Sequence, residues 1–174
     1  MTSVVVTILG PDRPGLVSAV SDRATAHGAN WADSVMANFA GQFAGIVHLQ
    51  VPQANCAALM ADLRALDSPS LHVALSQAFG APAESPRRLQ LELLGHDRPG
   101  IIHSISSQLA KHGVGIDKLQ SHIASGAMSG EQMFHMTAQL TVPRTLDTDM
   151  LRAGLESLAN ELMVDITFEG GERA

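Results

Sequence analysis

Seven consecutive residues of this 174-residue chain occur almost unchanged a second time. Leu9-Gly10-Pro11-Asp12-Arg13-Pro14-Gly15 returns as Leu94-Gly95-His96-Asp97-Arg98-Pro99-Gly100, and the same offset of 85 carries His27-Gly28 onto His112-Gly113. Val51-Pro52 pairs with Val142-Pro143 at an offset of 91, so the second copy is six residues longer. The Ser- and Gly-rich stretch 124–131 reads as the longer hairpin loop that holds them. Shared landmarks in a shared order mean one unit present twice, so both copies must be able to adopt one fold. Residues 79–88, with two prolines and a glycine, read as a connector. The expected domains are therefore 1–78 and 89–174.

Each copy shows the same succession of elements. Residues 3–9 are rich in β-branched side chains, and 89–94 alternate apolar residues with Gln90 and Glu92, so both predict strands. After the repeated turn, Leu16, Val17, Val20 and Ala24 fall at helical spacing, as do Ile101, Ile102, Ile105 and Leu109. Both helices should stop at His-Gly, where glycine takes the left-handed conformation. Strands are predicted at 31–38 and 43–51, then at 116–124 and 132–142. Second helices follow at 55–66, with Asn55 as N-cap, and at 147–162; last strands lie at 71–76 and 163–168. The order βαββαβ is the ferredoxin-like motif. The fold class is α+β: two ferredoxin-like units in tandem, each an antiparallel sheet with helices on one face. Two such sheets can join edge to edge or stack, and an exposed sheet edge offers a route to a homodimer.

Composition then narrows the function. With 45% hydrophobic and 16% charged residues the chain can bury a core large enough to offset its ordering entropy. Eleven basic against seventeen acidic residues give a formal charge of -6, and only Arg87 and Arg88 are adjacent cations. That argues against direct nucleic-acid binding, as does the lack of a helix-turn-helix pattern. No signal peptide and no run near the ~20 apolar residues of a membrane span are seen, so a soluble, cytoplasmic protein with no membrane partner is expected. A single cysteine, Cys56, cannot form an internal disulfide or a thiolate metal site, and it falls in the apolar pattern of a helix. The histidines, among them His96, His103, His122 and His135 in the second copy, lack metal-ligand spacing, although His96 and His103 could share a face. Nucleophile elbows and Walker loops are also missing, so no catalytic residue, metal or cofactor is expected. Met128, Met133 and Met136 around the long hairpin read as core filling.

The repeated turn is the candidate site. Gly10 and Gly95 read as backbone positions with angles closed to other residues, Pro14 and Pro99 as fixing the start of a helix. Gly15 and Gly100 read as places where a backbone or ligand comes close. The helix N-terminus behind them presents unpaired N–H groups and a partial positive charge, which favours a carboxylate. The competing reading is structural: Asp12 and Asp97 organise the turn and cap the helix, with Arg13 and Arg98 solvated.

A strand, a Gly-x-Asp-Arg-Pro-Gly turn and an amphipathic helix ending in His-Gly-x-Asn, followed by two strands, resemble the ACT domain over residues 3–77 and 89–169. Two in tandem, filling nearly the whole chain, are similar to the glycine cleavage system transcriptional repressor group of that family. The resemblance implies a small effector, an amino acid such as glycine, bound where two ACT domains meet. In the first copy it points to Leu9, Gly10, Asp12, Pro14, Gly15 and Leu16 at the turn, and to Asn30 after the helix. In the second it points to Gly95, Asp97, Pro99, Gly100 and Ile101. Gly115 stands where Asn30 does in the first copy, and Asp117 nearby is a candidate substitute, so the chain could carry one site or two. The resemblance further implies a non-catalytic, allosteric role: a regulatory protein partner senses the effector, in transcription control without direct DNA contact. Its rivals are a ligand-free interaction module and the regulatory subunit of a separately encoded enzyme. ACT domains with this turn also precede a catalytic domain in formyltetrahydrofolate deformylases, for which 174 residues leave no room.

Overall fold

Each copy of the repeat builds one sheet. The computed structural model describes residues 1–77, 87–125 and 131–169 and divides into two units, Met1–Ala81 and Pro82–Ala174. The first contains β1 (Thr2–Pro11), α1 (Leu16–Ala26), β2 (Asn30–Phe39), β3 (Gln42–Val51), a 3-10 turn (Gln53–Asn55), α2 (Cys56–Arg64) and β4 (His72–Gln77). The second contains β5 (Arg87–His96), α3 (Ile101–Lys111), β6 (Gly115–Ser125), β7 (Gln132–Val142), α4 (Thr148–Leu162) and β8 (Val164–Glu169). Both sheets are antiparallel, in the orders β2-β3-β1-β4 and β6-β7-β5-β8. These are the two ferredoxin-like units expected. Strand β5 begins at Arg87, two residues ahead of its predicted start. Of the proposed insertion loop, residues 126–130 lie outside the described residues, while Ser125 and Gln132 pair on either side.

Period-two burial sets the helix-covered face of each sheet. Val4, Val6 and Ile8 of β1 and Val47, Leu49 and Val51 of β3 point inward, where Leu16, Val20 and Ala24 of α1 and Leu59 and Leu63 of α2 close over them. In the second unit Leu91, Leu93, Met136 and Leu140 meet Ile101, Ile105, Leu109, Leu151 and Leu155. Met136 is core, as expected; Met133 is half-buried on the opposite, open face, and Met128 lies outside the described residues. Cys56 is buried, with the Gln77 amide 3.9 Å from its sulfur.

Both first helices stop at the same device. Gly28 and Gly113 have φ of +66° and +67°. In the first unit the N–H of Gly28 donates to Thr25 (3.0 Å) and that of Ala29 to Ala24 (2.8 Å); in the second, Gly113 donates to Ala110 and Val114 to Leu109, both at 3.0 Å. This is a Schellman closure repeated with its register intact.

The second helices correct one expectation. Asn55 does not cap α2, because the preceding 3-10 turn has already drawn it into helical angles (φ -99°, ψ -7°). Its side-chain N–H donates instead to the carbonyl of His27 at the end of α1, 3.0 Å away. The α1–α2 contact is further held by Asp62, whose carboxylate meets Arg23 (3.4 Å) and His27 (3.2 Å). In the second unit the matching pair of helices is joined differently: Gln108 and His112 take the places of Arg23 and His27, and Gln108 fills the space over Gly154.

Candidate functional site

The glycines of the repeated turn act for reasons opposite to those expected. Gly10 lies within β1 and shows no positive φ; a β-carbon there would sit 2.5 Å from the Ser70 carbonyl oxygen, ahead of β4. A β-carbon on Gly95 would meet side-chain and backbone atoms of Val164 at the start of β8 at 2.4–3.0 Å. These two glycines let a neighbouring strand come close. Gly15 and Gly100, in contrast, have φ of +93° and +96° with nothing within 4 Å of a β-carbon. There the requirement is backbone conformation, and the space outside is open.

Gly15 and Gly100 are themselves the N-caps of α1 and α3, and no side chain caps either helix. The first turn bonds are Ala19 N–H to Gly15 and Ser104 N–H to Gly100, both 2.9 Å, which leaves the earlier amides of each helix without a helical acceptor. Helix α4 is finished in the usual way, Asp147 accepting from the Asp149 N–H at 2.9 Å. The capping role considered for Asp12 and Asp97 is thus not the one found. The Asp12 N–H donates to the Gly41 carbonyl and that of Asp97 to the Gln132 carbonyl, both at 2.9 Å, so the β2–β3 and β6–β7 hairpins brace the turns. Asp12 also accepts from the side chain of Asn38 on β2. Asn38 is a residue that sequence reasoning missed, since its partner is met only across the folded hairpin.

The turn residues of each copy come together: Pro14 and Gly15 are exposed beside Asp12, as are Pro99 and Gly100 beside Asp97. Leu16 (5% exposed) and Ile101 (2%) send their side chains into the cores and can offer only backbone to a ligand. Leu9 is exposed on the open face of its sheet. Asn30 is not brought to the turn of its own unit. It pairs with Gln50 at one end of β3, whereas Pro11 pairs with Gln42 at the other, roughly 27 Å away at strand rise. Gly115 occupies the matching position opposite Thr141. Asp117 falls in a bulge two residues on, where it accepts from the Thr141 hydroxyl.

The histidines of the second unit divide between the two sides of its sheet. His96 lies on the open face and His103 on α3, which covers the other, so they do not share a face. On the open face the His135 ring nitrogen is 2.7 Å from a Glu92 oxygen, His122 meets His135 edge to face at 4.9 Å, and His96 is 3.5 Å from Glu131. Among the described residues no group of three or more His, Cys, Asp or Glu is placed to hold a metal ion, and no helix is long and apolar enough to cross a membrane.

The ACT domain profile matches residues 2–71 and 87–169. Among solved structures, an unknown protein from Galdieria sulphuraria is 27% identical, with 98% of this chain and 99% of that one covered and a TM-score of 0.81. A protein provisionally identified as a glycine cleavage system transcriptional repressor is 19% identical, with 97% and 96% covered and a TM-score of 0.67, a likeness of fold. No curated protein matches the sequence at a significant level.

Proposed function

The chain belongs to the ACT domain family, and from that premise we propose that it is a non-catalytic regulator that binds a small effector, an amino acid such as glycine. The observation that carries this is the pair of exposed helix N-termini at Gly15 and Gly100, which no side chain caps. Open amides and a partial positive charge suit a carboxylate. The amide of Asn30 can both donate to and accept from a zwitterion. Because Asn30 and the turn lie at opposite ends of one sheet, a site using both requires residues from two ACT units, in keeping with binding where two such units meet. The second copy, with Gly115 and a Thr141-bound Asp117, offers a weaker complement to an ammonium or hydroxyl.

Binding across two units favours one arrangement of them by the difference in the effector's affinity for the alternatives. A partner protein that prefers this arrangement then senses the effector, and transcription is the process it controls. The net charge of -6 favours action through a protein over direct contact with DNA.

Thermal unfolding in the presence of each amino acid tests the reading, followed through Trp31, which packs against the first core. An effector at about 100 times its dissociation constant adds roughly 2.7 kcal/mol, or about 5–10 °C. A shift confined to one or a few amino acids and lost in Asn30→Ala is expected. If no amino acid moves the midpoint at millimolar concentration, the effector reading fails and a ligand-free interaction module takes its place.

A further inference from the structure

The tandem repeat supplies an internal control for every position on the open faces of the two sheets. On the first sheet Val35 pairs with Ile46; the matching pair on the second is Gln120 with Thr137. Val35 is 67% exposed, Ile46 52%, and Leu9 and Phe39 on the same face are 47% and 78% exposed. On the open face of the second sheet Leu94 is the one large apolar side chain so exposed among the described residues. The fold therefore tolerates polar residues here, and the apolar face of the first sheet is a property of that copy alone. A contiguous apolar patch of this kind marks a contact surface.

We infer that this face is where two copies of the chain pair, sheet against sheet, about a two-fold axis. Charge argues for a second copy as occupant. Among the described residues Asp33 is the only Asp, Glu, Lys or Arg side chain on the face, beside the imidazoles of His48 and His72, so a covering surface must itself carry little charge. The same face of another copy meets that condition, and an isologous contact buries Val35 and Ile46 of both copies. Size agrees. Four strands about 4.8 Å apart and about 30 Å long cover about 600 Å² in projection. Side-chain relief raises that toward the ~800 Å² per partner of a standard stable interface. Two such faces stack about 10 Å apart with strands offset by about 30°.

The pairing is tested without effector and the effector reading by ligand-dependent melting, so failure of either is read from its own experiment. Sedimentation equilibrium of the full chain, over a micromolar concentration series without added amino acid, should give twice the chain mass. Val35→Lys buries an ammonium group in each half of an apolar contact and should weaken association roughly a hundredfold or more. The double variant Val35→Gln/Ile46→Thr copies what the second unit already carries, so folding is preserved. It should also shift the chain toward monomer, with the Trp31 melt confirming that the fold is kept. Gln120→Lys, at the matching place on the second sheet, should leave the dimer intact. A monomeric wild type overturns the inference. So does a dimer unaffected by both first-sheet variants, which would move the contact to a strand edge or another surface.

Discussion

Alanine at Gly10 and alanine at Gly15 stress the same unit in two different ways, and asparagine at each tells the two apart. At Gly10 the added β-carbon lies 2.5 Å from the Ser70 carbonyl and 3.2 Å from Leu71. That is about 1 Å inside an optimal contact, and the obstacle is backbone, so β1 and the segment before β4 must part. A cost of about 3 kcal/mol is expected, at the upper end of ordinary overpacking. At Gly15 nothing stands within 4 Å, and the penalty is that of a φ of +93°, about 1–2 kcal/mol for alanine. Asparagine tolerates positive φ, so Gly15→Asn should recover part of that loss. At Gly10 the larger side chain should do worse than alanine. Urea unfolding read through Trp31, the sole tryptophan, reports on this unit. A neutral Gly15→Ala, or a Gly10→Ala milder than Gly15→Ala, would refute the assignment of conformational freedom to one glycine and close approach to the other.

Two local changes should move stability in opposite directions. Asp147→Ala removes the acceptor from the Asp149 N–H and should cost about 1 kcal/mol, with Asp147→Ser restoring most of it, measured by circular dichroism in urea. The β2–β3 hairpin turns on Ala40 and Gly41, both at positive φ (+50° and +78°), the two-residue geometry that favours Asn-Gly. Ala40→Asn should therefore raise the Trp31 midpoint, by up to about 1 kcal/mol; a lowered midpoint would show that the turn is not limited by its first residue.

Much of the fold was legible because the signals are local or periodic. β-branched runs, apolar spacing and turn residues located the helices and strands of the described residues, and His27-Gly28 and His112-Gly113 announced their own helix ends, since a left-handed residue closing a helix needs only its neighbours. The candidate turn was also legible as a unit. The roles inside it were not. Gly10 and Gly15 look equally capable of either role in a sequence, and choosing needs the position of Ser70, sixty residues away. Asn55 has the composition of a cap, yet its amide is spent on His27 because α1 ends beside it.

The sequence by itself determined the number of units and their βαββαβ order. Repetition, period and backbone preference are properties of the chain alone. Only the tertiary structure decided which atoms crowd Gly10 and Gly95, why Asp12 braces a hairpin while α1 goes uncapped, and that Asn30 stands at the far end of the sheet from the turn. It also set Val35 beside Ile46 on an open face, where the other copy sets Gln120 beside Thr137. Those outcomes depend on which strands become neighbours and in what register. Register is a relation between distant segments, fixed when backbone ladders close and cores fill.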